Sequence, residues 1–216
     1  MHVLITTGPT REYIDDVRFL SNASSGRMGY ALAESAVRRN WRVTIVSGPV
    51  ALPAPVGVEV RRVTSALEML EVCLELLPQV DGVIAVAAVS DFRPASRQAR
   101  KLHRGEGPFQ LELVPNPDIL AEIGRRKSRQ WTVGFAVESS DLLAGARAKL
   151  AAKNCDAVVV NSPQAMESGD TTIQLVDRTG TVAFGFSGSK EAAAERITEW
   201  IEKSLIRTET TSGPQL

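Results

Sequence analysis

The chain has 216 residues, of which 44% are hydrophobic and 23% charged, and these ordinary globular values exclude a disordered or fibrous chain. Its formal net charge of +0 argues against a protein that binds nucleic acid through bulk positive charge. No stretch approaches the roughly 18 apolar residues of a membrane span, and the first strand-like run begins at His2, which leaves no room for a signal peptide. We expect one domain over residues 1–206 and a disordered polar tail at 207–216.

Short β-branched runs alternate with longer amphipathic runs along the chain. The predicted strands are His2–Thr6, Arg42–Val46, Val58–Val63, Gly82–Val86, Trp131–Phe135 and Ala157–Val160. The predicted helices are Met28–Arg39, Ser65–Leu77, Pro117–Lys127 with Asn116 as its cap, Asp141–Lys153 and Ser189–Leu205. Nearly continuous apolar strands are typical of parallel sheets buried on both faces. The alternation therefore predicts an α/β fold, namely a Rossmann-like, doubly wound, mostly parallel sheet with helices on both faces.

Two long connections and one hairpin interrupt this alternation. The connections span residues 8–26 and 87–115, and the second contains a possible strand at Phe109–Val114. Runs at Thr171–Val176 and Thr181–Phe186 flank a turn and predict a β-hairpin extension. Loops longer than about 12–15 residues are uncommon unless they are functional. Both connections leave the carboxyl ends of strands, where open α/β sheets bind ligands, so we predict the functional site there.

The strongest local signal is the segment Ser24–Gly29, which leads into the first helix. Small residues let a ligand approach the backbone closely, and the N–H groups and dipole of a helix N-terminus favour phosphate. The segment matches neither GxGxxG nor the P-loop. A helix cap with close helix–strand packing explains the same residues about as well, so both interpretations stay open.

Other polar residues follow strand ends. The loop 8–15 follows the first strand, so ligand contact is favoured there over a solvated turn. Asn22 can bind a substrate carbonyl or amine, although its spacing alone favours an ordinary turn residue. Asp91 can accept a hydrogen bond from a ribose hydroxyl or a base edge, and an Asx-turn is its alternative. Asn161 ends another strand and points to the same crevice.

The sequence favours chemistry by positioning and charge stabilisation. The basic cluster at residues 100–104 is either a solvated surface or a loop that closes over phosphates. Cys73 and Cys155 form no CxxC pair and are interpreted as buried or partly buried thiols in a reducing compartment. Two histidines and two dispersed cysteines argue against a zinc site, and no nucleophile signature is present. Phosphoryl or nucleotidyl transfer fits this pattern.

From residue 2 to about residue 205 the chain resembles the phosphopantothenoylcysteine synthetase family, also called phosphopantothenate–cysteine ligases. Six motifs in family order carry the resemblance: residues 7–12 (TGPTRE), 19–29 (FLSNASSGRMG), 46–49 (VSGP), 87–93 (AAVSDFR), 116–120 (NPDIL) and 133–138 (VGFAVE).

The resemblance implies a ligase of coenzyme A biosynthesis that uses CTP and Mg²⁺, located in the cytoplasm. The carboxylate of 4′-phosphopantothenate would attack the α-phosphate of CTP and release pyrophosphate. The amine of cysteine would then attack the acyl-cytidylate and release CMP. Both nucleophiles belong to substrates, which agrees with the absence of a nucleophile signature in the chain.

The resemblance also implies roles for individual residues. Catalytic roles fall on Asn22 and on the flap residues Lys101, His103 and Arg104. Substrate-binding roles fall on Asn22, Ala23 and Arg27. Nucleotide-binding roles fall on Gly8, Ser24, Ser25, Gly26, Met28, Ala87, Asp91 and Phe135, with Asp91 as the anchor of the cytidine. Metal ligands are not identified.

The family also implies a homodimer, with the Phe109–Val114 strand and the Thr171–Phe186 hairpin as candidate contacts. Many bacterial relatives carry an N-terminal flavin-dependent decarboxylase domain, which we expect here only as a separate or fused partner because Met1 directly precedes the first strand.

The chain departs from the family pattern at two places. The family flap reads Lys-Ile-Lys-Lys, whereas residues 101–104 read Lys-Leu-His-Arg, which puts a histidine in place of the second lysine. The family's Ala-Asn-Asp reads Val160-Asn161-Ser162, so one carboxylate is missing. Two alternatives to the ligase are a catalytically altered nucleotide-binding relative and an NAD(P)-dependent oxidoreductase. The absence of the GxGxxG fingerprint argues against the oxidoreductase.

Overall fold

The computed structural model describes residues 1–103, 107–137, 142–161 and 170–206. Its first strands are β1 (His2–Thr7), β2 (Arg11–Tyr13), β3 (Phe19–Ser21), β4 (Arg42–Ser47), β5 (Val58–Arg62) and β6 (Gly82–Ala85). The later ones are β7 (Phe92–Pro94), β8 (Leu113–Pro115), β9 (Trp131–Val137), β10 (Ala157–Asn161), β11 (Asp170–Asp177) and β12 (Val182–Ser189). The helices are α1 (Arg27–Arg38), α2 (Ala66–Leu76), α3 (Ile119–Arg126), α4 (Leu142–Lys153) and α5 (Lys190–Ile201). None of the described helices is both long and apolar enough to cross a bilayer.

One eight-stranded sheet organises the chain. Its strand order is β12-β11-β10-β9-β6-β1-β4-β5, and the six strands from β10 to β5 run parallel. The hairpin β11–β12 joins β10 in antiparallel sense and extends the sheet at that edge. Strand order reverses on the two sides of β1, which is the doubly wound arrangement. The predicted mostly parallel α/β sheet with a hairpin extension is therefore confirmed.

Helices cover both faces of the sheet. Val3 and Ile5 of β1 belong to the core that α1 and α5 close on one face. Leu4, between them, belongs to the core closed by α2 and α3 on the other face. Because successive strand residues point to opposite faces, an uninterrupted apolar strand serves two cores at once. This explains why the central strands carry no polar alternation.

The predicted start of α3 is wrong by two residues. Asp118, rather than Asn116, caps the helix, and its carboxylate accepts a hydrogen bond from the N–H of Ala121 at 2.8 Å. The Asn116 side chain instead donates to the carbonyl oxygen of Ser90 at 2.8 Å. Asn116 and Asp118, on either side of Pro117, are both suitable N-cap residues by type. Asn116 does not cap the helix because its side chain binds Ser90.

The predicted strand Phe109–Val114 is also wrong in extent. Only Leu113–Pro115 forms a strand, β8, and it pairs with β7 in a separate two-stranded sheet. The paired residues end at Pro94 and Leu113, and beyond them the N–H of Ala95 donates to the carbonyl oxygen of Glu112 at 3.0 Å. A second small sheet, β2–β3, was not predicted, because each strand has only three residues and no apolar alternation.

Candidate functional site

The end of β1 and the start of α1 form the centre of the site. Gly26 caps α1 in the left-handed region at φ 76°, a conformation that glycine adopts at little cost. The hydroxyl of Thr7 donates to the carbonyl oxygen of Gly26 at 3.1 Å and ties the cap to the strand. A Cβ on Gly29 would lie 2.1 Å from Thr7 Oγ1, so Gly29 serves helix–strand packing. The packing interpretation of the motif is thus confirmed for Gly29.

A first cleft of about 140 Å³ opens at this helix N-terminus, at the carboxyl ends of the parallel strands. Its lining residues are Thr7, Ser24–Gly29, Val86, Ala87, Ala88, Phe135, Ala136, Asn161 and Lys190. The N–H groups of the first turn of α1 have no intrahelical acceptor and can bind an anion. The structure thus brings together Asn161 and most of the predicted binding residues of the glycine-rich segment.

A second cleft of about 250 Å³ adjoins the first and shares Ala87 and Phe135 with it. Its lining residues are Thr6, Ala85, Ala87, Val89, Ser90, Asp91, Asn116, Pro117, Asp118, Ile119, Leu120, Phe135 and Lys149. Three of the residues expected to bind the nucleotide, Ala87, Asp91 and Phe135, line this cleft. The second cleft therefore combines apolar walls with carboxylate, amide and ammonium groups, as small-molecule sites do.

Charged side chains of α4 reach the second cleft. Lys149 donates to the carbonyl oxygen of Phe135 at 2.6 Å. Lys153 donates to the Asp118 carboxylate at 2.5 Å. Burial would raise the pKa of Asp118, but the hydrogen bonds from Lys153 and Ala121 and the charge of Lys149 outweigh it and lower the pKa. Asp118 is therefore ionised at neutral pH, and its carboxylate pairs with Lys153 beside the cleft.

Sequence reasoning missed the contributions of α4 and α5. Lys149, Lys153 and Lys190 lie in helices, where lysine is an ordinary residue, so no local pattern marks them. Lys149 and Lys190 reach the clefts, and Lys153 reaches Asp118 at the rim of the second cleft, because α4 follows β9 and α5 follows the hairpin, which brings both helices to the sheet. Only the topology makes these positions recognisable.

Asn22 lies beside the clefts but does not line either of them. Its side-chain amide donates to the carbonyl oxygens of Ala88 at 3.3 Å and Val89 at 3.0 Å. Asn22 therefore holds the backbone that forms the wall between the two clefts. Ala23 and Gly8 are also outside the cleft linings, although each is within two residues of a lining residue.

The polar residues of the first loop have structural contacts. Glu12 is 3% exposed and accepts a hydrogen bond from the N–H of Ala66 at 2.9 Å, at the start of α2. Asp15 is fully buried and accepts from the N–H groups of Val17 at 2.8 Å and Arg18 at 2.7 Å. The position of this loop after β1 predicts ligand contact, but the carboxylates of Glu12 and Asp15 bind backbone N–H groups of the protein instead.

The flap segment lies against this loop. The carboxylate of Asp15 accepts from the N–H of Leu102 at 3.0 Å, and the guanidinium of Arg18 donates to the carbonyl oxygen of Leu102 at 2.9 Å. Lys101 and His103 on either side are exposed and line neither cleft. Arg104, the remaining flap residue of the prediction, lies outside the described residues. The proposed tail at 207–216, together with Ser162 and Glu138, also lies outside them.

Both cysteines are free and buried, as expected. Burial raises the pKa of the Cys73 thiol to about 12 and that of Cys155 to about 11, so neither is a reactive thiolate at neutral pH. Within the described ranges, no cluster of three or more His, Cys, Asp or Glu side chains is arranged to hold a metal ion. The chemistry of the site therefore lies in the two clefts.

Comparison with known proteins gives one consistent family. Residues 1–205 match the model of the DNA/pantothenate metabolism flavoprotein C-terminal domain. The coenzyme A biosynthesis bifunctional protein CoaBC of Bacillus subtilis is 48% identical over 179 residues, which cover 81% of this chain and 44% of that protein. The chain spans about half the length of the curated relatives that it matches.

Solved structures agree with the sequence relatives. The crystal structure of the C-terminal domain of a CoaBC protein aligns with a TM-score of 0.80 and 37% identity, over 94% of this chain and 96% of that one. A Cab2 mutant in complex with phosphopantothenate-cysteine shares the fold, with a TM-score of 0.77 and 17% identity over 96% of this chain and 88% of that one. The motifs, the sheet order and these matches lead to one conclusion: the chain belongs to the family of DNA/pantothenate metabolism flavoprotein C-terminal domains.

Proposed function

We propose that the chain is a phosphopantothenate–cysteine ligase, which joins 4′-phosphopantothenate and L-cysteine at the expense of CTP. The single observation that carries the proposal is the pair of adjoining clefts with the common wall Ala87 and Phe135. A ligase that activates one substrate with a nucleotide needs two binding sites that meet at the reacting atoms. The names of the CoaBC relatives and the phosphopantothenate-cysteine bound to the Cab2 mutant support this assignment.

In the proposed reaction the carboxylate of phosphopantothenate attacks the α-phosphorus of CTP, and pyrophosphate leaves. The amine of cysteine then attacks the acyl carbon, loses a proton and displaces CMP. The protein contributes position and charge: Asp91 anchors the nucleoside in the second cleft, while the Lys149 ammonium favours the phosphate charge there. Asn22 keeps the shared wall in place through its contacts with Ala88 and Val89.

Magnesium enters this proposal together with the nucleotide. Mg²⁺ is usually held by substrate phosphates and one or two carboxylates rather than by a complete protein cage. Asp91 provides an exposed carboxylate in the second cleft, which fits that mode of binding, whereas both oxygens of Asp118 are engaged by Ala121 and Lys153. When bound, Mg²⁺ would neutralise phosphate charge.

We also propose a homodimer, a cytoplasmic location and a flavin-dependent decarboxylase as a fused or separate partner. Exposed apolar side chains on and beside the two small sheets support a protein contact: Val17, Phe19, Phe92, Phe109 and Leu113. Buried free thiols support a reducing compartment. Sedimentation equilibrium tests the dimer, and a mass equal to that of one chain at all concentrations would exclude it.

The activity is tested by pyrophosphate release with CTP, Mg²⁺, phosphopantothenate and cysteine, each omitted in turn. We expect release to need CTP, Mg²⁺ and phosphopantothenate, and the ligated product to form only with cysteine. Substitution of ATP for CTP measures the nucleotide preference. A folded protein that binds CTP but releases no pyrophosphate between pH 7 and 9 would contradict the ligase and indicate the catalytically altered relative.

A further inference from the structure

Arg93 lies in the middle of β7, two residues after Asp91, and lines neither cleft. Its Nη1 donates to the carbonyl oxygen of Pro115 at 2.6 Å and to the side-chain oxygen of Asn116 at 3.2 Å. Pro115 ends β8, the partner strand of β7, and Asn116 lines the second cleft. Among the described residues Arg93 has no ion-pair partner, so both contacts go to neutral oxygens at the edge of this cleft.

The contact with Arg93 determines which way the amide of Asn116 faces. An asparagine side chain ends in one acceptor oxygen and one NH₂ donor, and a half-turn about its last bond exchanges them. A guanidinium can only donate, so it selects the oxygen. The NH₂ group then faces the carbonyl oxygen of Ser90, to which it donates at 2.8 Å. A reversed amide would place donors together at Arg93 and oxygens together at Ser90, so Asn116 is held in one orientation from both sides.

Asn116 in turn holds two neighbouring residues of the second cleft, Ser90 and Asp91. Its backbone N–H donates to the carbonyl oxygen of Asp91 at 2.8 Å. The N–H of Ser90 donates to Oγ1 of Thr10 at 3.0 Å, which attaches the same segment from its other side. The carboxylate of Asp91 takes part in none of these contacts and stays exposed at the cleft. A group presented by a fixed backbone loses less conformational freedom when it binds a ligand.

We propose that Arg93 is a positioning residue for the nucleoside of the nucleotide substrate, which acts through Asn116 on Asp91. The inference rests on the proposed ligase function, in which Asp91 anchors the nucleoside. An arginine near a nucleotide commonly binds phosphate directly. Arg93 differs, because it lines neither cleft and its Nη1 is engaged by Pro115 and Asn116. If Arg93 acts only through Asp91, the effects of replacing the two residues depend on each other, whereas two independent contacts would add.

The test is a double-mutant cycle on CTP affinity, measured by calorimetry with Arg93→Met, Asp91→Ala and the double variant. Arg93→Met keeps an apolar stem and removes the donors. We expect it to weaken CTP binding about fivefold or more, the usual effect of losing a hydrogen bond. The double variant should bind CTP within about twofold of Asp91→Ala. In steady-state assays Arg93→Met should raise the KM for CTP by a similar factor, while kcat and the KM for phosphopantothenate change less than about twofold.

Three further variants separate orientation from simple attachment. Asn116→Asp binds Arg93 more strongly but brings an oxygen against the carbonyl oxygen of Ser90, so we expect it to weaken CTP binding about tenfold. Arg93→Lys should bind CTP within about threefold of the wild type, because one nitrogen makes both contacts and an ammonium can replace it. Arg61→Met is the matched control and should bind CTP normally, since Arg61 pairs with Glu75 on the surface and lines neither cleft.

Several results would overturn the inference, and they differ in what they say of the function. Unchanged CTP affinity in a folded Arg93→Met protein, with an active wild type, rejects the positioning role and leaves the ligase intact. Additive losses in the double variant would give Arg93 a nucleotide contact of its own and reject its action through Asp91. Should Arg93→Met not fold, normal CTP binding by Asn116→Asp rejects the orientation argument. A folded wild type that neither binds CTP nor releases pyrophosphate contradicts both proposals.

Discussion

At the scale of single residues, Asn116 holds the segment that carries Asp91. The N–H of Asn116 donates to the carbonyl oxygen of Asp91, and its side chain donates to that of Ser90, both at 2.8 Å. The guanidinium of Arg93 donates to the side-chain oxygen of Asn116 at 3.2 Å. The backbone of Asp91 is thus fixed while its carboxylate stays exposed at the second cleft. Among the described residues this carboxylate has no hydrogen-bond or ion-pair partner, so it is available to accept from a ligand.

Asp91→Ala is therefore expected to weaken CTP binding by about tenfold or more, the usual effect of losing a hydrogen bond to a charged group. Calorimetric titration with CTP measures it. Glu71→Ala, which removes an exposed carboxylate of α2 outside both clefts, is the control and should bind normally. Equal affinities for the two variants would reject Asp91 as the anchor of the nucleoside.

At the scale of elements, the β2–β3 hairpin supports the flap segment. Asp15, in the turn of this hairpin, holds Leu102 and is itself held by Arg18. The N–H groups of Arg18, Leu102 and Val17 lower the pKa of Asp15 to about 2 against the effect of its burial, so the carboxylate is ionised at any neutral pH. The carboxylate connects two chain segments that are 87 residues apart.

Asp15→Asn should release the flap segment, because an amide oxygen is a weaker acceptor and its NH₂ group opposes the N–H donors. Hydrogen exchange at the Leu102 amide should become faster, and kcat should fall more than KM rises. Asp16→Asn breaks only an exposed ion pair with Arg97 at 3.3 Å and is the control, with little expected change.

The pH dependence follows from the lowered pKa of Asp15. The contact is present in full above the ordinary aspartate pKa of 3.8 and is lost as the pH falls toward 2. Leu102 protection that is identical in wild type and Asp15→Asn at pH 7 would show that other contacts position the flap.

At the scale of the whole molecule, both thiols lie in the cores on one face of the sheet. Cys73 belongs to the core closed by α2 and α3, and Cys155 to the adjoining core closed by α4. Burial raises both pKa values above the ordinary 9.0, to about 12 and about 11. The unfolded chain therefore loses these protons at a lower pH than the folded one. Their stabilising contribution is complete below about pH 9 and declines as the pH rises toward 11–12.

Between pH 8 and pH 10 each thiol ionises in the unfolded chain but stays protonated in the folded one. We expect this to lower the free energy of unfolding by about 1.4 kcal/mol for each thiol. Urea unfolding at the two pH values measures it, with Cys73→Ala and Cys155→Ala as the matched variants. Each variant should lose correspondingly less stability over this interval than the wild type. Parallel losses in wild type and variants would mean that other groups cause the alkaline decline.

The elements illustrate where sequence reasoning succeeds. Ser65 caps α2 and accepts from the N–H of Glu68 at 3.3 Å, as the capping-box spacing of Ser65 and Glu68 predicts. The Glu68 carboxylate accepts from the N–H of Thr64 at 2.9 Å, one residue before the cap. Such signals are local, because the groups that satisfy each other lie within four residues. The two small sheets carry no such local signal. Strands β7 and β8, for example, have three residues each and are separated by about twenty residues of sequence.

The sequence by itself determined the α/β class, the parallel strands, the hairpin extension, the family and the segment that opens the first cleft. It could do so because periodic apolar runs and contiguous motifs are local properties of the chain. Tertiary structure alone decided that Lys190 and Lys149 reach the clefts and that Asp15 holds Leu102. These residues have no local signature. Their roles depend on which side chains the sheet brings together, and burial and charge act through space rather than along the sequence.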